Sequence, residues 1–542
     1  MEMTESQFDE VAIEPRVSTA SGIASAATVI AMGNVASRLL GLARETVIAY
    51  LFAATGMVSA FEVAGRIPRM LFDLLIDGLV SSALVPVFSE LAERDRDELW
   101  RVASIMLTLA ALVMSVAVLV LELLAPQVAW LMAGGFDPDL LAYTARLMRI
   151  TTPAVVFLSL SGIITGLLYA LKRFSLPAFT AAVFNASFVV ATVVLTTRYG
   201  WGAESLALGL LIGSIVQVAF QAPGLRSANL RFNLDWEHPV VRRIIRLYTP
   251  VVLGLVISQV GIIIDRNLAS RTGEQSIAWM RYATTLVQFP LGLISVAIAM
   301  AILPTLSRLA ATSQLVPVGR EEFMDTLASG LKMVLVLILP AVCGLFALAG
   351  PAVALVFQHG AFTSSDTEQT ALALRIYLLG TTFAAVDLPL VYAFYARKDT
   401  LTPALVGVLG VVLYLVAALT PAVFRELRMT DLVLANSIQL TGHALVMLWL
   451  THRFGSLRGR GLESTALKSL AASLIAAGVA FVSARWLALQ LPGQDLLHYV
   501  IVVGGAGILG LASYGVLVIL LRVEEVSLLV ALLRRRLTSA RT

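Results

Sequence analysis

Five charged residues interrupt an apolar stretch, residues 61–91, that is long enough to cross a membrane. They are Glu62, Arg66, Arg69, Asp73 and Asp77. At 100° per residue, they fall within a narrow arc of one helical face. A charge in lipid costs at least about 2.5–3.5 kcal/mol, so this stripe is expected to face water or protein. Arginine's planar fork can hold phosphate oxygens bidentately, so the stripe predicts an anion site; the alternative is a ladder of ion pairs that only joins helices.

Similar polar positions recur in other apolar segments. Residues 34–47 contain Ser37, Arg38, Gly41, Arg44 and Glu45, which predict either a ligand-facing surface or arginines paired for helix packing. The second half of the chain offers Asp265, Arg266, Arg281, Thr285, Gln288 and Asp387. Arg281 lies near a helix end, where snorkelling to the membrane surface is the alternative. Asp265 and Asp387 are candidates for ion coupling, and Asp387, just before Pro389, could instead be a polar partner at a helix break.

The composition places these residues in a polytopic membrane protein. The 542 residues are 58% hydrophobic and only 14% charged, and apolar runs of membrane-spanning length recur along the chain. One cysteine and five histidines provide neither a disulfide framework nor a Cys/His metal site. No phosphate-binding loop, acidic metal cluster or nucleophile motif is present. We therefore expect a protein that is not an enzyme, with no cofactor, metal or nucleic-acid partner, driven by an ion, voltage or substrate gradient.

The apolar runs predict an all-α fold with about fourteen transmembrane helices. Basic residues concentrate in alternate connections, which predicts that both termini are cytoplasmic. The predicted helices are 21–53, 57–91, 98–132, 138–171, 177–198, 203–223, 249–271, 276–309, 322–349, 367–396, 401–423, 430–452, 464–490 and 495–521.

Two pairs of similar segments indicate an internal duplication. "LVPVFSELA" (84–92) resembles "ILPTLSRLA" (302–310), and "YALKRFSLPA" (169–178) resembles "YARKDTLTPA" (395–404). An even number of helices in each repeat predicts two parallel six-helix repeats that face a common cavity, with two extra helices at the C-terminal end. The predicted regions are a disordered tail (1–20), a first lobe (21–230), an amphipathic linker (231–248), a second lobe (249–455), the extra helices (456–521) and a basic tail (522–542).

Two motif regions give the chain a family resemblance. "ASRLLGLARETVIAYLFAATGMVSAFEVAGRIPRMLFDLLIDGLVSSALVPVFSEL" and "QSIAWMRYATTLVQFPLGLIS" resemble segments of the MurJ/MviN lipid II flippase family. The resemblance covers helices one to about twelve. It implies the fold of the multidrug/oligosaccharidyl-lipid/polysaccharide exporter superfamily, alternating access, and an undecaprenyl-pyrophosphate-linked saccharide as cargo. It also implies that the two extra helices form a groove for the lipid tail.

The family's polar motif positions fall on Ser37, Arg38, Arg44, Glu45, Arg66 and Asp77. Three positions depart from the family pattern, namely Ser59, Phe72 and Thr285, and the last two stand where the family usually has arginine. Arg69 and Arg281 each lie one helical turn before such a position. The hypothesis is that the positive charge has moved by one turn; the alternative is that the shift marks a changed substrate. Asp265 matches an acidic sodium ligand of some family members, but Tyr414 and Ala418 replace the other two ligands.

The resulting function hypothesis is a flippase that moves a lipid II-like cell-wall precursor from the inner to the outer leaflet of the bacterial cytoplasmic membrane. Membrane lipids and cell-wall synthesis proteins are its expected further partners. The alternatives are a flippase for another lipid-linked oligosaccharide, a multidrug or cation antiporter of the same superfamily, and a membrane scaffold in cell-wall synthesis. A scaffold has no need of a wet interior, which argues against the last alternative.

The displaced arginines can be tested by moving them back. Arg69→Ala and Arg281→Ala should each abolish transport or weaken cargo binding by about 1.5–3 kcal/mol, the range for a charged hydrogen bond. Adding Phe72→Arg to the first variant, and Thr285→Arg to the second, should restore part of the activity in proteoliposomes. Normal transport by both folded alanine variants would contradict the displacement.

Overall fold

The chain folds as a succession of α-helices with no strand among the described residues. The structure, a computed structural model, describes residues 14–226, 228–312, 317–491, 493, 495–523 and 525. The first nine helices are α1 (Glu14–Phe52), α2 (Gly56–Phe72), α3 (Val85–Arg94), α4 (Arg96–Leu123), α5 (Ala125–Ala133), α6 (Pro138–Thr151), α7 (Ala154–Ala170), α8 (Ser175–Tyr199) and α9 (Glu204–Gln221).

The remaining helices repeat much of this order and add two more. They are α10 (Pro239–Ser270), α11 (Ser276–Pro290), α12 (Val296–Thr312), α13 (Pro317–Ala347), α14 (Ala349–Phe357), α15 (Ser364–Ala396), α16 (Leu401–Leu419), α17 (Met429–Leu450), α18 (Leu462–Gln490) and α19 (Leu496–Leu520). Short π-helical turns at Asp73–Asp77 and Val80–Leu84 lie between α2 and α3, and another at Leu291–Ser295 joins α11 to α12.

The predicted all-α membrane fold is confirmed. Eleven helical segments in the described part of the chain are long and apolar enough to cross a membrane, so the protein is a multi-pass membrane protein. The helices α1, α2 and α10 are not among the eleven, and they carry several of the charges singled out in the sequence. The count of fourteen spanning helices therefore stays a prediction.

Two boundaries differ from the sequence prediction. The helix α1 begins at Glu14, inside the segment expected to be a disordered tail, whose first thirteen residues lie outside the described range. The helix α10 runs unbroken from Pro239 to Ser270, so most of the expected linker forms its first turns. Val241, Ile244 and Tyr248 of these turns are buried in an apolar cluster with α3, α4 and α7, which gives this amphipathic stretch a face to pack.

Unusual backbone conformations recur at equivalent residues of the two repeats, which supports the duplication. Lys172 and Lys398, which lie 226 residues apart, both adopt a left-handed conformation, with φ of 59° and 62°. The π-helical turns Asp73–Asp77 and Leu291–Ser295 are displaced by 218 residues, the same offset as the first sequence pair. A π-turn holds one residue more than an α-turn and is often found at functional positions.

The chain divides into two compact units. One unit contains the described residues up to Ile48 together with Gly56–Asn267, and the other contains Ala49–Thr55 and the described residues from Leu268 onward. Each unit has its own apolar core: α3, α4 and α7 dominate the first, and α12, α13, α15 and α17 the second.

The two extra helices are tied to α13 by polar contacts as well as by packing. The Tyr514 hydroxyl donates to the Val336 carbonyl at 2.6 Å. Beyond α19, the Glu525 carboxylate pairs with Lys332 Nζ at 2.7 Å, and both side chains are largely buried, with 7% and 14% exposure. The Thr465 hydroxyl of α18 also donates to Glu525, at 3.2 Å. These contacts attach the α18–α19 pair to one helix of the second unit, at the end of the pair where α18 begins and α19 ends.

Breaking the buried Lys332–Glu525 pair should be strongly destabilising. Lys332→Ala leaves an unpaired buried carboxylate and should lower the free energy of unfolding by about 3–5 kcal/mol. Adding Glu525→Gln should recover much of this loss, as measured by thermal unfolding in detergent. The control is Glu93→Gln, which breaks the exposed Glu93–Lys172 pair and should leave the melting temperature unchanged. Equal shifts in both variants would contradict a role for burial.

Candidate functional site

Arg44 of α1 is held by two partners of different kinds. Its Nη2 lies 2.7 Å from Glu45 Oε1, and its Nη1 donates to Asn185 Oδ1 of α8 at 3.1 Å. The guanidinium also lies over the Phe188 ring, 5.5 Å from the ring centre. Glu45 is only 2% exposed, whereas Arg44 remains 22% exposed. The site therefore fixes the orientation of a guanidinium and leaves part of it accessible.

Asn185 is a functional candidate that the charge-based sequence analysis missed. Its Nδ2 donates to the Ser37 carbonyl at 3.3 Å while its Oδ1 accepts from Arg44, so it joins two predicted site residues. Its side chain is buried in an otherwise apolar part of α8. A lone amide inside an apolar helix is a signal that could have identified it, because buried amides need partners.

Arg69 forms a second charged group beside the first π-helical turn. Its Nε lies 2.8 Å from Asp73 Oδ1, and its guanidinium carbon lies 5.5 Å from the centre of the Phe72 ring. Arg69 is 58% exposed. The Arg69 guanidinium thus packs against the ring of Phe72, three residues further along the same helix. Whether the displaced charge serves cargo binding stays a prediction.

Arg266 differs from the other candidate arginines. Its side chain is partly buried in α10, its Nε is inaccessible to solvent, and no described residue accepts a hydrogen bond from it or pairs with it. The preceding Asp265 and the arginines Arg38, Arg66 and Arg281 all have polar interactions. An arginine in an apolar helix is costly without an anionic partner. Arg266 is therefore available for one.

The polar residues predicted on α11, in the second half of the chain, lie in different environments. Thr285 donates its hydroxyl to the Arg281 carbonyl at 3.0 Å, so this hydroxyl is engaged within its own helix. Gln288 is exposed. Beyond α11, the buried Ser295 donates to the Ala385 carbonyl of α15 at 2.6 Å. The stripe thus ends at a contact with the helix that carries Asp387.

Asp387 has a partner that the sequence analysis did not identify. Its Oδ1 lies 2.9 Å from Nδ1 of His443, which is on α17. Both side chains are mostly buried, with exposed fractions of 20% and 18%. A single histidine in an apolar helix is hard to recognise as a functional residue from the sequence, because histidine is treated as uncharged at pH 7. Among the described residues, no group of three His, Cys, Asp or Glu side chains could hold a metal ion.

The structure therefore brings some predicted residues together and leaves others apart. Ser37, Arg44 and Glu45 form one group, whereas Asp387 belongs to a different pair in the second unit. The side chain of Asp77 lies outside the described residues. The first unit holds Arg38, Arg66, Arg69, Asp265 and Arg266, and the second holds Arg281, Thr285 and Gln288.

Charged groups inside the helices of a duplicated multi-pass protein are typical of a membrane transporter. The family model described as lipid II flippase MurJ matches residues 48–501. The lipid II flippase MurJ of Burkholderia cenocepacia is 32% identical over 381 residues, covering 69% of this chain and 73% of the relative. A probable lipid II flippase MurJ of Vibrio cholerae is 32% identical over 416 residues, covering 74% and 77%. The chain belongs to the MurJ lipid II flippase family.

Solved structures confirm the fold. A lipid II flippase MurJ in an inward closed conformation aligns with a TM-score of 0.76 and 23% identity, covering 91% of this chain and 99% of that chain. An inward-facing multidrug resistance MATE family transporter of the MOP superfamily aligns with a TM-score of 0.65 and 15% identity, covering 78% and 95%. The superfamily fold expected from the sequence resemblance is thus confirmed.

Because Arg44 is held by both Glu45 and Asn185, we predict that cargo binding depends on the planar shape of its guanidinium as well as on its charge. Arg44→Lys keeps the cation but cannot satisfy Glu45 and Asn185 while presenting a planar fork to cargo. We expect cargo binding to weaken by about 1.5–3 kcal/mol, the range for charged hydrogen bonds, with little change in thermal stability. Binding to purified protein is the measurement. Wild-type affinity in Arg44→Lys would show that a point charge suffices.

Proposed function

We propose that this protein translocates a lipid II-like precursor, a saccharide on a polyprenyl pyrophosphate, from the inner to the outer leaflet by alternating access. Family membership supports this class of cargo. The structural observation that supports the proposal is the state of Arg266. Its guanidinium is partly buried and has no partner among the described residues. A pyrophosphate would supply the missing anion through charge-assisted hydrogen bonds.

The proposed binding group combines oriented and unpaired guanidinium groups. Arg44 is held at two nitrogens and keeps part of its surface exposed. Arg69 is more exposed and is neutralised in part by Asp73. We assign Ser37, Arg38, Arg66, Asp77, Arg281, Thr285 and Gln288 as further contributors, and Asp265 and Asp387 to ion coupling. Each role is non-catalytic, because translocation requires binding and release rather than bond cleavage.

The proposed location is the bacterial cytoplasmic membrane, with both termini in the cytoplasm. Its support is the basic character of alternate connections, of which Arg94, Arg101 and Lys172 are well exposed at helix ends. The proposed regions are the two six-helix lobes, 21–230 and 249–455, the extra helices 456–521 and the basic tail 522–542. Cell-wall synthesis proteins are proposed as partners.

The proposed lipid-tail groove involves α18 and α19. Their contact is built from small residues, including Ala476, Ala480 and Gly510, which allow close approach of the two helices. Their outer surfaces carry exposed apolar side chains suited to acyl or prenyl chains: Leu467, Leu474, Val482, Trp486, Ile508, Leu511 and Ile519.

The deciding experiment is complementation of a strain depleted of its own lipid II flippase. The wild-type chain should restore growth, and Arg266→Ala should fail to do so although it is expressed normally. The matched control is Arg198→Ala, which removes an exposed arginine at the end of α8 and should complement. Failure of the well-expressed wild type would exclude lipid II as its cargo.

A cargo assay then separates the alternatives. Purified protein in liposomes should translocate a polyprenyl-pyrophosphoryl saccharide, and Arg266→Ala should lower its affinity at least about tenfold, since a charged hydrogen bond is lost. Translocation of a different lipid-linked glycan would favour the related flippase function. Drug resistance on overexpression without lipid binding would favour the multidrug antiporter. Indifference to all of these would contradict a transport role.

A further inference from the structure

The pair Asp387–His443 joins two helices of the second unit at a position where a charge is costly. Asp387 lies on α15 and His443 on α17, and both are mostly buried. We propose that these two side chains form a proton-binding site, and that proton occupancy controls the π-helical turn Leu291–Ser295 that follows α11. The biological purpose of this site rests on the proposed transport function. Proton binding itself does not, because it needs no cargo.

Protonation changes the net charge of the pair. With a proton on each ring nitrogen, His443 is a cation and the Asp387 carboxylate its counter-ion, so the pair is neutral. When the imidazole loses a proton, His443 becomes neutral and can only hydrogen-bond to the Asp387 carboxylate. The pair then carries one net negative charge. Histidine is the side chain that makes this change near neutral pH. In an apolar setting the ion pair should hold α15 and α17 together more firmly than the deprotonated form.

Other groups around the pair are mainly neutral. Gly410 of α16 faces Gln439 and the His443 ring, and the backbone of Pro403 hydrogen-bonds the same ring. Tyr395 lies close enough to Asp387 to interact electrostatically, and Tyr392 stacks on Tyr395. Further titratable groups lie on α11, α12, α13 and α16, the helices around α15 and α17; they are Arg281, Tyr282, Arg308, Arg320, Glu321, Glu322, Asp325, Lys332, Cys343 and Tyr414. Lys332 is paired with Glu525.

A short chain of contacts connects the pair to the π-helical turn. Pro389, inside α15, has no N–H, so the Ala385 carbonyl lacks its usual helical donor. The Ser295 hydroxyl, at the end of the turn Leu291–Ser295, donates to that carbonyl at 2.6 Å. Ala385 is two residues from Asp387. A shift of α15 caused by the pair would therefore act on the turn through one hydrogen bond.

The turn is well placed to pass the effect to cargo. It continues directly from α11, which carries Arg281, Thr285 and Gln288. Single π-helical turns inside α-helices are rare and are frequently found at functional sites. Tightening or loosening this turn would rotate the polar stripe on α11 relative to α12. Proton binding is thereby linked to the presentation of candidate binding residues.

The first unit has a related contact that cannot titrate. Ser161 lies 226 residues before Asp387, the same separation as Lys172 and Lys398. Ser161 donates to Gln221 Oε1 at 3.1 Å, and Gln221 Nε2 reaches Thr165 and Thr180 at 2.7 and 3.0 Å. Neutral groups therefore suffice to join α7 to α9. An ionisable pair between α15 and α17 is not required for packing, which supports a role in proton binding.

The test uses hydrogen exchange of the purified full-length protein without cargo, corrected for the intrinsic pH dependence of exchange. Peptides covering α15, α17 and the turn at 291–295 should exchange at least about threefold faster above a transition near pH 6–8, where histidine titrates. Asp387→Asn and His443→Gln should both abolish the step. Ser295→Ala should keep the step in α15 and α17 but remove it from the turn. The control Ser161→Ala should behave as wild type.

The outcomes separate this inference from the proposed function. Absence of a pH step in the wild type, or its survival in either Asp387→Asn or His443→Gln, would overturn the proton site. A step in the turn that survives Ser295→Ala would overturn the proposed connection. If a single substitution prevents folding, the exchanged pair Asp387→His with His443→Asp must restore the step. A pH step without lipid translocation in liposomes would leave the proton site standing and reject the flippase function.

Discussion

The high free energy of an ionised side chain in an apolar environment governs the arrangement of this protein. Arg44 meets this constraint with Glu45 and Asn185, Lys332 with Glu525, and Asp387 with His443. Several of these contacts join different helices, so the need to neutralise a charge also decides which helices are bonded together. Arg266 is the informative exception, since no described residue pairs with it.

The same constraint explains what the sequence could and could not predict. Apolar runs and the placement of arginines revealed the helices, the duplication and the family, because these signals are local in the chain. The partners Asn185 and His443 remained hidden, since each is an uncharged single residue whose importance comes from a neighbour at a distance in sequence. The unbroken α10 was missed because its first turns are amphipathic and look like a separate surface segment, although Tyr248 and its neighbours pack into the first unit's core.

The attachment of α18 and α19 shows how added helices become part of a duplicated fold. Contacts from Tyr514 and Glu525 both end on α13, near Val336 and Lys332. Lys332 and Val336 lie one helical turn apart on α13, so these polar contacts fasten the helix pair to one level of that helix. A conformational change of α13 would consequently carry the two extra helices with it, and a lipid tail held there would move with the second unit.

The paired π-helical turns also record the history of the chain. A wide turn is what remains when one residue is inserted into an established helix, because the added residue is accommodated locally and the register beyond it is preserved. The turns Asp73–Asp77 and Leu291–Ser295 occupy the same position in the two repeats. The economical explanation is a single insertion in an ancestor with one repeat, copied when the gene doubled. Val80–Leu84 has an α-helical counterpart in the second repeat, which dates that second insertion, or its loss, to after the duplication.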